Sequence, residues 1–137
     1  MPIEKPKVSR FAVLLAVSAQ TEKTGGPIRP VLTRLPHGKF KYVLPAAEIL
    51  EGQSPRSTLV DQVYKKIDIT DIEIEYEHRL IVPGRTEDVV YHIFVGAISD
   101  WGFQLNQSQA WISALDNKPI GKMSRKLIQE ARRQHWI

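Results

Sequence analysis

The chain has 137 residues, with 19 Lys and Arg against 15 Asp and Glu, a net charge of +4 and no cysteine. That length suits one domain, able to bury about two-thirds of its unfolded surface without a covalent or metal staple. Disulfides, thiolate metal sites and cysteine nucleophiles are excluded, and the mild positive balance suits an anionic partner while being ordinary for a globular domain.

Met1–Arg10 carries two prolines and alternating charges and is expected to be a flexible N-terminal arm, leaving 11–137 as a single domain. Phe11–Val17 (FAVLLAV) is the longest apolar run; it is too short to span a bilayer and reads as a buried strand. It lacks the small-residue cleavage pattern of a secretion signal, so a cytoplasmic location is expected. Gln20–Pro30, with Gly25-Gly26-Pro27, is a loop. Val31–Arg34 is a short strand, Pro36-His37-Gly38-Lys39 a turn, and Phe40–Leu44 a strand leaving it.

Pro45–Gln53 shows no clear period and reads as loop. Ser54-Pro55 is a helix start: serine supplies the capping oxygen, and proline suits the first helical position, where no N–H is needed. The helix is expected to run to about Ile67, burying Leu59, Val60, Val63, Tyr64 and Ile67 on one arc. Ile72, Ile74 and Tyr76 alternate with Glu73, Glu75 and Glu77, the period of a strand with one apolar and one acidic face. Val82–Arg85 turns the chain, and Val89–Ile98 is a strand apolar enough to be buried on both faces. Asp100-Trp101-Gly102 is a turn and Ala110–Ala114 a short strand around Trp111. A second amphipathic helix from Met123 to about His135 is expected to bury Met123, Leu127, Ile128 and Ala131, with Trp136 packing it against the body. Strands with few, separated helices suggest a mixed sheet covered on both sides.

The stretch from Ala47 to Ile69 carries the sharpest pattern. Here the chain resembles a Nudix domain, whose signature is a glycine, five residues, a glutamate, seven residues, then Arg-Glu-U-x-Glu-Glu-x-Gly-U, with U a bulky aliphatic residue. Laid without a gap from Ala47, the aliphatic positions fall on Val63 and Ile69 and match. The first acid falls on Gln53, the arginine on Asp61, the three helix acids on Gln62, Lys65 and Lys66, and the second glycine on Asp68. Leu44-Pro45, Gly52-Gln53-Ser54-Pro55, the strand Val31-Leu32-Thr33-Arg34 and the late aromatic strand Ala110-Trp111-Ile112 resemble the family outside the strict signature. The resemblance implies an α/β fold, a Nudix-like α/β/α sandwich with a mixed β-sheet between helices. It also implies a reaction: hydrolysis of a nucleoside diphosphate linked to another group, with divalent cations holding the pyrophosphate.

Hard cations such as Mg²⁺ take oxygen ligands, above all carboxylates. Helix positions i, i+3 and i+4 share a face, which explains the spacing of the family's acids. Three glutamates there carry −3; Gln62, Lys65 and Lys66 carry 0, +1 and +1, a total of +2. Glutamine offers one neutral oxygen and lysine offers none. The resemblance and the departure together predict a degenerate Nudix box without catalytic residues or metal, a pseudoenzyme that binds a nucleotide, a phosphorylated metabolite or a protein partner. Arg34, Gln62, Lys65, Lys66 and Trp101 are the expected ligand-binding residues: a lysine ammonium holds phosphate directly, and a turn tryptophan can stack a base. The bland alternatives are a solvated helix end for the lysines and a surface or edge-covering role for the others.

Two other readings stay open. A Nudix-type hydrolase could use a relocated Mg²⁺ site built from Glu48, Glu51 and Asp61, ordinary surface carboxylates in the simpler reading. A basic RNA- or ribosome-associated protein could use Arg125, Lys126, Arg132 and Arg133 on the last helix, again against a solvated face. A homodimer is compatible with the sequence, and no membrane partner is expected. His37, His78, His92 and His135 form no pair at metal-ligand spacing on one element.

Overall fold

The computed structural model describes residues 7–18, 31–69, 72–98, 105, 107–112 and 119–137. The described strands are β1 (Lys7–Ser18), β2 (Val31–Arg34), β3 (Ala46–Glu48), β4 (Ile74–Val82), β5 (Glu87–Ile98) and β6 (Gln109–Ile112). They form one mixed sheet in the order β4-β5-β1-β2-β6, with β3 also pairing β1. β1 and β5 run parallel along their whole length, from Lys7↔Glu87 to Ser18↔Ile98, and the other pairings are antiparallel. No helix among the described residues is long and apolar enough to cross a membrane.

The apolar run in β1 explains the layers. Its alternate side chains enter different cores, because successive strand residues face opposite ways. Ala12, Leu14 and Ala16 join Leu59, Val63, Ile67 and Phe94 beneath a central helix. Val13, Leu15 and Val17 join Ile93, Leu127 and Ile128 beneath a C-terminal helix, Lys122–Arg133. The result is the expected α/β/α sandwich.

The central helix spans 55–66 and starts where the sequence places it. Ser54 Oγ accepts from the Ser57 N–H at 3.0 Å, Ser57 Oγ accepts from the Ser54 N–H at 3.2 Å, and Pro55 opens the first turn. Its middle, Leu59–Val63, is π-helical, with the Tyr64 N–H reaching back to the Leu59 carbonyl. The wider turn stacks Leu59 over Tyr64, both buried, and rotates Val60 outward. Val60 is 47% exposed, against the expectation that it is core.

Several boundaries differ from those read in the sequence. β1 begins at Lys7, so Lys7–Arg10 belong to the sheet and not to an arm; the parallel ladder with β5 recruits them. Phe40–Leu44 is not a strand: only Tyr42 and Val43 make single bridges, and Phe40 is exposed. The strand lies instead inside the expected loop, at Ala46–Glu48, where β1 offers a free edge at Phe11–Val13. β4 runs on to Val82 and contains a bulge between Ile74 and Tyr76. The extra residue reverses which face even-numbered side chains occupy. Ile72 and Ile74 therefore pack under the central helix, while Leu80 and Val82 pack on the opposite face. Glu73, Glu75 and Glu77 are all exposed, and so is Tyr76, which was expected on the apolar face. Met123 is 38% exposed rather than buried, while Leu127, Ile128 and Ala131 are core as expected.

Candidate functional site: a cationic cleft where the sheet divides

One edge of β1 serves two strands. β3 takes it at Phe11–Val13, and β2 takes it at Val17. Between them the sheet parts, and a cleft of about 370 Å³ opens between this gap and the C-terminal helix. Arg34 at the end of β2 and Lys66 at the end of the central helix supply its charge. The backbone of Arg34 is clamped to Val43 by two hydrogen bonds, Arg34 N–H to the Val43 carbonyl at 2.9 Å and the reverse at 2.8 Å. This fixes where its side chain leaves the sheet. Lys66 Nζ donates to the Ala46 carbonyl at 2.7 Å, which draws the ammonium across β3 into the cleft.

Lys66 is perturbed by its surroundings. Burial lowers the Lys66 pKa below its ordinary 10.5, and the Arg34 guanidinium lowers it further. Arg34 Nε is buried and has no hydrogen-bond partner. Among the described residues no carboxylate lines the cleft, and no ion pair joins Arg34 or Lys66 to an acid. The remaining polar groups are two hydroxyls. Ser124 Oγ accepts from the Leu44 N–H at 3.0 Å. Tyr91 stacks on Phe11, with ring centroids 5.8 Å apart, and burial raises its pKa, so it stays a neutral phenol.

Of the five residues expected to bind a ligand, Arg34 and Lys66 are brought together. Gln62 and Lys65 are exposed on the central helix and do not line the cleft, because the helix presents only its last turn there. Trp101 lies outside the described residues. Glu48, Glu51 and Asp61 are all exposed, and among the described residues no three His, Asp or Glu side chains group as a metal-ligand set. On the C-terminal helix, Arg125 and Lys126 are exposed, Arg133 pairs with Glu130, and one Arg132 nitrogen is buried. Two cleft residues were not singled out from the sequence. Tyr91 is hidden in the apolar run of β5, and Ser124 is the one small polar residue on the buried face of the last helix; that isolated hydroxyl is the signal that marks it.

The central helix ends in a tight backbone turn. Asp68, which falls where the signature has glycine, adopts a left-handed conformation with φ 55°. The Ile69 N–H returns to the Tyr64 carbonyl at 3.1 Å to close the helix end.

No protein-family model matches the chain, and no curated protein matches it. Solved structures do. A MutT/Nudix family protein from Listeria innocua superposes with a TM-score of 0.68 at 12% identity, covering 96% of this chain and 96% of that one. A MutT protein from Methanosarcina mazei Go1 gives 0.67 at 15% identity, covering 98% and 99%. A Nudix hydrolase from M. smegmatis gives 0.68 at 13% identity, covering 91% and 84%. At such identities the likeness is one of fold, and by its fold this chain is a Nudix-like domain.

Proposed function

We propose that this Nudix-like domain binds a phosphorylated anion directly, through Arg34 and Lys66, and does not hydrolyse nucleoside diphosphate derivatives with the aid of a metal. The observation that carries the reading is the charge of the cleft: two cations, one with a buried unpartnered N–H, and no acid among the described residues that line it. A buried donor without a partner is costly, and an acceptor-only group such as phosphate relieves it. The same anion offsets the repulsion that lowers the Lys66 pKa.

The Mg²⁺ implied by the fold family does not fit these donors. Neither an ammonium nor a guanidinium can ligate a hard cation, and both repel one. Gln53, Gln62, Lys65 and Lys66 at the four acidic positions of the signature point the same way.

The experiment is a thermal melt with inorganic phosphate, with and without Mg²⁺. Phosphate is expected to raise Tm with no help from Mg²⁺. Lys66→Met and Arg34→Gln should each weaken binding about 10- to 100-fold, the value of a charge-assisted hydrogen bond of roughly 1.5–3 kcal/mol. Affinity should decline as pH rises through the lowered Lys66 pKa, because only the protonated ammonium attracts the anion. Stabilisation that requires Mg²⁺, joined to cleavage of a nucleoside diphosphate compound into a nucleoside monophosphate and a second phosphate ester, would sink the reading.

A further inference from the structure

The polar inventory of the cleft says more about the ligand than its charge does. Arg34 and Lys66 are donors only. The Tyr91 phenol and the Ser124 hydroxyl can donate, and the Ser124 oxygen already accepts from Leu44. Among the described residues no Asn, Gln, Asp, Glu or His side chain lines the space, and the Ala46 carbonyl already accepts one bond from Lys66. The described side chains of the cleft are therefore rich in donors and poor in acceptors. A nucleobase carries donors as well as acceptors at its edge, and its exocyclic amine or ring N–H would go unpaired here, a loss of about 1–3 kcal/mol per buried group.

Away from the two cations the walls are aliphatic. Val13, Val43, Leu44 and Leu127 form the interior, with Pro36 and Met123 also lining the cleft. Met123 is 38% exposed, a flexible thioether able to adjust to a guest. A volume of about 370 Å³ is at the small end of the range for ligand pockets, about 300–1,000 Å³. Two positive charges match one phosphate dianion and fall short of the charge on a nucleoside diphosphate.

We propose that the cleft recognises a phosphate monoester of an apolar alcohol, an alkyl or aryl monophosphate, with the phosphate on Arg34 and Lys66 and the hydrocarbon against Val13, Val43, Leu44 and Leu127. This rests on the anion-binding reading above and narrows it to a ligand class. Recognition divides between the two ends: the cations hold the head, and the aliphatic walls select the body by removing it from water. Polar sugars and bases gain nothing from those walls.

The test is calorimetric titration of the whole chain with inorganic phosphate, the alkyl phosphates from ethyl to hexyl, phenyl phosphate and AMP, without metal. Kd should fall about threefold to fourfold per methylene, the value of a buried CH₂, until the cleft is full. AMP should bind no more tightly than inorganic phosphate. Met123→Gln, at a position exposed enough to accept it, should flatten the far end of the alkyl series. If phosphate binds but Kd is level from ethyl to hexyl, or AMP surpasses hexyl phosphate, the apolar-ester inference fails while the anion site survives. If inorganic phosphate and all its esters fail to bind, the anion site itself is wrong.

Discussion

Lys66 and Asp68 are two residues apart and show how one position can keep a shape while its neighbour changes a charge. Lys66 brings a cation into the cleft and is tied by its bond to Ala46. Asp68 holds the left-handed turn that ends the central helix, at φ 55°. L-residues disfavour that region by roughly 1–2 kcal/mol, aspartate less than most, and glycine not at all. Asp68→Gly is therefore expected to stabilise the fold by up to about 1 kcal/mol, and Asp68→Val to destabilise it by more than about 1 kcal/mol. Urea unfolding of the two variants checks this; equal midpoints would show that the turn relaxes at no cost. The Nudix-like fold was legible in the sequence through the spacing of its apolar and turn residues. The pairing of Lys66 with Arg34 was legible only as a candidate set of five, because linear spacing does not say which side chains of a helix end reach across a neighbouring strand.

At the scale of elements, backbone irregularities decide which side chains meet. The π-helical turn at Leu59–Val63 exposes Val60, and the bulge between Ile74 and Tyr76 exchanges the faces of β4. Opposite the bulge lies Gly96, paired with Ile74. A Cβ on Gly96 would stand 2.6 Å from the Glu73 carbonyl oxygen and 3.3 Å from the Ile72 side chain. The close approach is between backbones, so no rotamer change relieves it. Gly96→Ala should cost about 1–3 kcal/mol, as overpacking does, and should broaden amide resonances along β4 in NMR spectra. A variant with wild-type stability would mean that the bulge slides freely. Neither irregularity is visible in hydrophobic periodicity, since the same residues satisfy a regular helix or strand until the partner strand and the opposing core choose a register.

For the molecule as a whole, two histidines with lowered pKa values link distant elements. His78 stacks on Trp136 at 4.1 Å between ring centroids and 7° between planes, joining β4 to the segment after the C-terminal helix. Burial lowers its pKa below 6.5. His92 on β5 contacts Arg10 at 3.0 Å; burial comes first and the Arg10 charge second in lowering its pKa, while Glu77 works in the opposite direction. A histidine whose folded pKa lies below its unfolded value takes up more protons when unfolded, so its contribution is complete above pH 6.5 and is lost as pH falls through the folded value. Tm should therefore drop on acidification below pH 6.5, and His78→Phe together with His92→Gln should blunt that slope. A Tm profile unchanged by the double substitution would assign the acid sensitivity elsewhere.

The amino-acid sequence by itself determined the two helices, the apolar β1 and β5, the capped start at Ser54-Pro55 and the Nudix-like order of elements. These follow from local periodicity, capping chemistry and the burial demanded by long apolar runs, all written within a few residues of one another. The tertiary structure decided what the gap between β2 and β3 contains. Arg34, Lys66, Tyr91 and Ser124 come from four separate elements, and their charges and donors combine only when the divided edge of β1 brings them to one cleft. Electrostatics and hydrogen bonding act through distance in space, which no one-dimensional pattern contains.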